Sequence, residues 1–313
     1  MTESRLSGFF KLPVNERIDA LEAGGWLSAA DADALRDGRQ VGSIRAADKM
    51  IENVIGTFGL PRGIAPNFRV DGCDYVVPLV VEEPSIVAAL SAAARLARRT
   101  GGFTTQCEES LLAGQVHLAG IGDVEAAGKA VLAVRNALLE QANAVHPRLV
   151  HRGGGARDIE VHVVPTDEHG NVLAVHILVD TRDAMGANLV NTLCEALAPT
   201  LADITGGRVA LRILSNLVDR SVVTASARFP LRGLALKGGD AEQARDGIVL
   251  AGAIAQSDPH RAATHNKGIM NGVDAVAVAT GNDWRAIEAG AHAYAARDGQ
   301  YRALTDWRVA KDG

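Results

Sequence analysis

Aromatic residues are scarce in this chain: six Phe, three Tyr and three Trp among 313 residues, or 4%. A core poor in rings must be filled by aliphatic side chains. The many Ala and Gly point to closely packed helices. Cysteine is scarce too. Cys73, Cys107 and Cys194 are far apart with no metal-ligand spacing, which fits packed thiols in a reducing compartment and no bound metal. Basic charge is not in excess: 32 Lys and Arg against 37 Asp and Glu leave a net −5, so nothing suggests a nucleic-acid partner. No apolar run has the length of a membrane span. The start MTESRLSGFF lacks the basic end and apolar core of a signal peptide, so a cytoplasmic location without a membrane partner is expected. No G-x-G-x-x-G follows a strand, so an ordinary Rossmann fingerprint is missing. The remainder, 47% hydrophobic and 22% charged, is ordinary for a soluble globular chain with room for one large or two medium domains.

Apolar spacing predicts short helices over 13–23 and 28–37, the second capped by Ser28. Lys11, just before the first, reads on its own as a solvated lysine. AADKMIENVIGT, residues 46–57, reads as an amphipathic helix ended by Leu60-Pro61. Residues 67–81 read as a β-hairpin about Asp71-Gly72. Glu82-Glu83-Pro84-Ser85 then opens a helix. Two acids there could simply favour the helix N-terminus. Their apolar flanks suggest instead a carboxyl with a raised pKa, able to donate a proton near neutral pH.

From about Val116 to Leu214 the order becomes β-α-β-β-α-β: strand 115–121, one long helix 123–143 capped by Asp123, strands 158–165 and 172–180, helix 185–203, strand 208–214. That is a split βαβ, ferredoxin-like arrangement. His162 and His176 lie on its strands without metal spacing and read as ordinary strand residues. Asp183-Ala184-Met185-Gly186-Ala187-Asn188 opens the second helix. Its exposed backbone N–H groups could meet a pyrophosphate, or it could be only a capped helix. The basic, glycine-rich loop His146 to Gly155, with Arg148 and Arg152, reads equally as solvated surface or as a phosphate-binding loop. A strand at 222–229, a turn at 236–240 and a helix at 241–255 follow.

The most specific stretch runs from Asp258 to Tyr294. Asp258 as N-cap and Pro259 at the first position start a helix. Lys267 sits between Asn266 and Gly268, with Asn271 and Gly272 on the next turn. A second helix begins near Thr280-Gly281-Asn282-Asp283-Trp284. A buried Lys267–Asp283 couple would be either a structural ion pair or a holder of a developing oxyanion.

HNKGIMNG and TGNDWRAIEAGAHAYA, together with ENVIG, EEPSIVAA and DAMGAN in the same order, resemble the segments of bacterial (class II) 3-hydroxy-3-methylglutaryl-coenzyme A (HMG-CoA) reductase. The resemblance covers nearly the whole chain. It implies an α+β fold: a helical large domain for substrate and dimerisation (1–110 and 218–313) carrying an inserted, non-Rossmann, ferredoxin-like dinucleotide-binding domain (111–217). It implies two-hydride reduction of HMG-CoA to mevalonate and coenzyme A with NAD(H) or NADP(H), or the reverse. Glu83, Lys267 and Asp283 would be catalytic. Arg261, Ser85, Asn271 and Lys11 would contact substrate, Lys11 near the coenzyme A phosphates. Asp183, Met185, Gly186, Asn188, Asn216, His146 and Arg148 would contact the cofactor. NAD-using members have an aspartate where this chain has His146, which suggests that NADPH is accepted at least as readily as NADH. ENVIG implies a homodimer interface, with cofactor domain and substrate site from different subunits. The family's C-terminal flap and its catalytic histidine find no match; His260, His265 and His292 sit inside helices. The alternative expectation is therefore a truncated, catalytically impaired remnant that binds a coenzyme A thioester or a partner subunit.

Overall fold

The computed structural model describes residues 3–39, 42–235 and 239–310. Two compact units emerge. The first comprises Met1–Thr105, Ala225–Trp284 and Asp298–Gly313; the second comprises Gln106–Thr224 and Arg285–Arg297.

The first unit begins with α1 (Val14–Ala23) and α2 (Ala29–Arg36), the latter capped by Ser28, whose hydroxyl accepts from the Asp31 N–H at 3.2 Å. The helix expected at 46–57 does not form. Only α3 (Ile44–Ala47) is helical, and Asn53 adopts φ 57°. Among the described residues the apolar side chains of that segment are left unpacked: Met50, Ile51, Ile55 and Phe58 are all exposed. A short helix without tertiary packing is marginal, so the chain passes through turns over 48–53 and then lacks regular structure up to β1. β1 (Arg62–Val70) and β2 (Cys73–Val80) form the expected hairpin. Asp71 and Gly72 both take positive φ, 49° and 81°, as a two-residue turn of matching twist requires. Fully buried Ser4 pins the N-terminal segment across the hairpin, its hydroxyl donating to the Phe68 carbonyl at 2.9 Å. α4 (Ile86–Ala97) lays Val87 and Leu90 on Ala65, Phe68 and Leu79. β3 (Phe103–Cys107) pairs in parallel with β1 at Val70 and Phe103.

The second unit follows the order β4 (Leu112–Ala119), α5 (Val124–Ala133), α6 (Arg135–Val145), α7 (Pro147–His151), β5 (Gly155–Thr166), β6 (Gly170–Asp180), α8 (Ala187–Thr205) and β7 (Arg208–Leu214). The long helix read over 123–143 is two. It starts on the Asp123 cap as expected, but breaks at Val134, whose φ and ψ of −109° and 18° are not helical. A further turn of helix, α7, occupies part of the supposed loop. The sheet is antiparallel in the order β5-β6-β4-β7, the connectivity of a split βαβ. Its core lies on one face. Val116, Leu118, Val175 and Ile177 meet Val131 of α5, Leu138 of α6, and Leu193 and Leu197 of α8. Aliphatic side chains and the Cys194 thiol build this cluster without a ring, as the scarcity of rings suggests.

β8 (Val223–Ala227) returns the chain to the first unit's sheet, order β2-β1-β3-β8. The turn read at 236–240 falls largely outside the described residues. α9 (Ala241–Ser257) is capped by Asp240. α10 (Pro259–Ala279) starts as the sequence predicts, with the Asp258 carboxylate accepting from the His260 N–H at 2.9 Å. α11 (Trp284–Ala295) follows directly on Asp283. Residues 300–307 strap back along α9 and α10. Fully buried Asn266 donates to the Arg302 carbonyl at 2.8 Å and accepts from the Leu304 N–H at 2.9 Å, so one side chain pairs with the strap as a strand would. Gln256 donates to the carbonyls of Ala303 and Thr305 beside it. No helix among the described residues is long and apolar enough to cross a membrane.

Candidate active site

Lys267 stands in the middle of α10, one residue beyond Asn266. At about 100° per residue, the inward turn of Asn266 swings Lys267 outward. Its ammonium donates to Glu83 Oε2 at 2.6 Å. Glu83 belongs to the connection between β2 and α4, so the contact joins a hairpin end to a helix middle. The sequence reading gives Glu83, Lys267 and Asp283 as one group; the contact between Lys267 and Glu83 joins two of them directly. Asp283 lies half-buried immediately before α11. The pair is not buried as the apolar flanks suggest. The side chains retain 61% and 42% of their exposure, because β2 ends at Val80 and the intervening turn stands off the core.

Ser85, two residues on, takes φ 72°, a left-handed conformation rare for a residue with a Cβ. It occupies the N-cap position of α4 without capping the helix through its hydroxyl. Such strain persists only where the surroundings impose it, and it concentrates at functional sites. Here it leaves the hydroxyl uncommitted to the cap. Glu83, Pro84 and Ser85 line a groove of about 2220 Å³ with Phe10, Asn67 and Arg95. Lys11 follows Phe10 directly and is exposed, its ammonium 5.8 Å from the Phe10 ring centre. Asn271, one turn after Lys267, shares its stripe on α10. Arg261 does not. Six residues earlier, it sits a third of a turn round the helix, toward His265, which holds Thr305 of the strap at 2.6 Å. Burial, reinforced by the Arg261 charge, pushes the His265 pKa down.

The second unit carries a cleft of about 790 Å³ lined by His146, Arg148, Arg152, Arg182 and Asp183, among others. Its floor is the turn into α8. Gly186 precedes that helix with φ 87°, and a Cβ there would lie 2.7 Å from Thr181 Cγ2 and 2.8 Å from Leu112 Cδ1. Only glycine permits the approach. The buried Thr181 hydroxyl donates to the Ala184 carbonyl at 3.0 Å and closes the turn. Met185 and Asn188 are exposed on either side of Gly186. Asn216 lies apart from this lining; its carbonyl would stand 2.7 Å from a Cβ at Gly290, which explains that glycine.

Arg182 is the residue that sequence reasoning missed. It directly precedes the DAMGAN string, takes φ 53°, and donates a guanidinium N–H to the Gly153 carbonyl. Its backbone N–H donates to Asp180 Oδ1 at 2.9 Å, and Arg157 reaches the other oxygen at 3.0 Å. Burial opposes ionisation of Asp180, but that N–H and the two guanidiniums outweigh it and hold the carboxyl below its usual range. The ionised Asp180 thus fixes Arg182 at the rim. His146 Nε2 is buried here without a hydrogen-bond partner. The cleft thus gathers an orphaned imidazole nitrogen, three arginines and the turn that leads into α8.

A family model described as hydroxymethylglutaryl-coenzyme A reductase matches residues 13–313. The 3-hydroxy-3-methylglutaryl-coenzyme A reductase of Archaeoglobus fulgidus is 50% identical over 310 residues, 99% of this chain and 69% of that protein. A probable enzyme of the same name from Borreliella burgdorferi is 34% identical over 82% of this chain and 58% of its own length. The Streptococcus pneumoniae reductase superposes with a TM-score of 0.93 at 45% identity, over 98% of this chain and 82% of that one. A class II structure from the same organism, bound to NADPH in open conformations, matches with a TM-score of 0.93 at 44% identity. The chain belongs to the hydroxymethylglutaryl-coenzyme A reductase family.

Proposed function

We propose that the protein reduces HMG-CoA to mevalonate and coenzyme A, and that Glu83 and Lys267 carry the carbonyl chemistry. The observation that supports this most directly is the 2.6 Å contact between Lys267 and Glu83, the latter lining the large groove. A nicotinamide cofactor, when bound, supplies hydride to the carbonyl carbon. Each addition leaves negative charge on the former carbonyl oxygen. Lys267 is placed to receive that oxygen by charge and N–H donation, and Glu83 to deliver a proton to it once protonated itself. Asp283 is assigned to holding the charge balance of this pair. Ser85 and Asn271 are assigned to neutral hydrogen bonds with the substrate. Arg261 is assigned to its free carboxylate and Lys11 to the coenzyme A phosphates.

The second unit is assigned the dinucleotide. Asp183, Met185, Gly186 and Asn188 form the turn that would take the pyrophosphate. Asn216 is kept as a contact by resemblance. The reading commits to NADPH, because His146 stands where an acid would favour NADH and Arg148, Arg152 and Arg182 line the same cleft. A homodimer is proposed from the exposed Met50, Ile51, Ile55 and Phe58, an apolar run that a single chain leaves in water.

The test is NADPH oxidation by the purified chain with HMG-CoA, in parallel with NADH and with mevaldehyde. HMG-CoA-dependent oxidation that disappears in Lys267→Ala supports the assignment. Turnover unchanged in that variant would overturn it.

A further inference from the structure

On the sheet face opposite α5, α6 and α8, register brings together residues that no local spacing connects. Glu160 and His162 alternate along β5. Cross-strand pairing sets Gln115, His176 and Glu160 in one row, and His117, Ala174 and His162 in the next. Cross-strand partners share a face. The methyl group of Ala174 leaves the imidazoles beside it room to lean together. The rings of His162 and His176 lie 4.4 Å apart between centres. The ligand atoms of Glu160, His162 and His176 all fall within 4.8 Å of one another.

We propose that Glu160, His162 and His176 form a zinc-binding site on this face. The separation of Glu160 Oε2 from His162 Nε2 is 3.4 Å. Bonds of about 2.1 Å at tetrahedral angles set two ligands on one zinc about 3.4 Å apart, so this pair already stands at the required edge. Two imidazoles and one carboxylate suit zinc rather than magnesium or calcium, which favour oxygen alone.

The surroundings orient the ligands. Arg220 donates to Glu160 Oε1 at 2.7 Å, which leaves Oε2 turned to the histidines. Gln115 Nε2 stands 2.8 Å from His176 Nε2 and fixes that ring. His117, in the neighbouring row, keeps a buried Nδ1 with no partner. Three protein ligands leave a fourth position for water. The site belongs to neither cleft and stands apart from the reductase assignment.

The test is calorimetric titration of the full chain with zinc after chelator treatment, repeated with cobalt(II) as a spectroscopic probe. The expected result is one zinc per chain. His162→Ala and Glu160→Gln should each weaken binding about tenfold or more while melting like the parent. His169→Ala, in the turn between β5 and β6, should bind as the parent does. Unchanged affinity in both ligand variants, no zinc uptake at micromolar concentration, or a cobalt spectrum dominated by thiolate charge transfer would each overturn the site.

Discussion

Lys267 on α10 and Glu83 at the end of the β-hairpin meet at 2.6 Å although 184 residues separate them. Both side chains are more than two-fifths exposed, so the pair adds little to folding: about 1 kcal/mol at most once water screens it. The value proposed for it lies in chemistry. Lys267→Ala and Glu83→Gln should each lower kcat by about a hundredfold or more while leaving the melting temperature within a few degrees of the parent. Steady-state kinetics beside thermal melts separates the two effects. A variant that loses stability and activity together would assign the pair to the fold instead.

The turn into α8 predicts the opposite combination. Gly186→Ala forces a Cβ into Thr181 and Leu112 at a backbone angle that suits glycine. It should destabilise the protein by about 1–3 kcal/mol and raise the KM for the dinucleotide with little change in that for HMG-CoA. Urea unfolding and cofactor titration check the two parts.

Arg148→Ala and Arg182→Ala should weaken NADPH several-fold and leave NADH nearly unaffected, since only NADPH offers a 2′-phosphate to a guanidinium. Cofactor KM values measured side by side decide it. Equal losses for both cofactors would place these arginines on the shared pyrophosphate.

Asp74 predicts an acid limit to stability. Its side chain is only 13% exposed, and Arg98 donates to both carboxylate oxygens at 2.9 and 2.7 Å. The Arg98 hydrogen bonds, against the opposing effect of burial, lower its pKa to about 2. A carboxyl depressed on folding stabilises the protein above its ordinary pKa of 3.8 and loses that contribution as pH falls toward 2. The loss should be on the order of 1 kcal/mol. Melts between pH 5 and 2 should fall more steeply for the parent than for Asp74→Asn.

The thiols predict a reactivity pattern. Cys194 is fully buried in α8, and burial pushes its pKa up to about 12. Cys73 and Cys107 are exposed. A thiol reagent should modify those two in the native protein and reach Cys194 only after unfolding.

Much of this molecule is legible in its sequence, where the physics is local. Asp71-Gly72 declares a hairpin because both positions need positive φ. Asp258-Pro259 declares a helix because one residue accepts the free N–H and the other has none to lose. The failures are all non-local. Met50, Val54 and Ile55 have helical spacing, but among the described residues Met50 and Ile55 find no surface to cover them. The break at Val134 has no Gly or Pro to announce it. The meeting of Lys267 with Glu83 needs the hairpin to bring a residue 184 positions away to α10. His162 and His176 carry no signal along either strand, because the register between strands is what joins them.

Asn266 has a consequence for interpreting variants. Its carboxamide locks the strap at Arg302 and Leu304 to the helix face next to Lys267. A substitution that breaks this lock should loosen α10 from the strap and disturb the contact of Lys267 with Glu83, with neither of those side chains altered. Lesions near residue 303 would therefore imitate active-site damage in an assay. A chain weakened there should regain activity on cooling or in a stabilising osmolyte, whereas one lacking Lys267 should not.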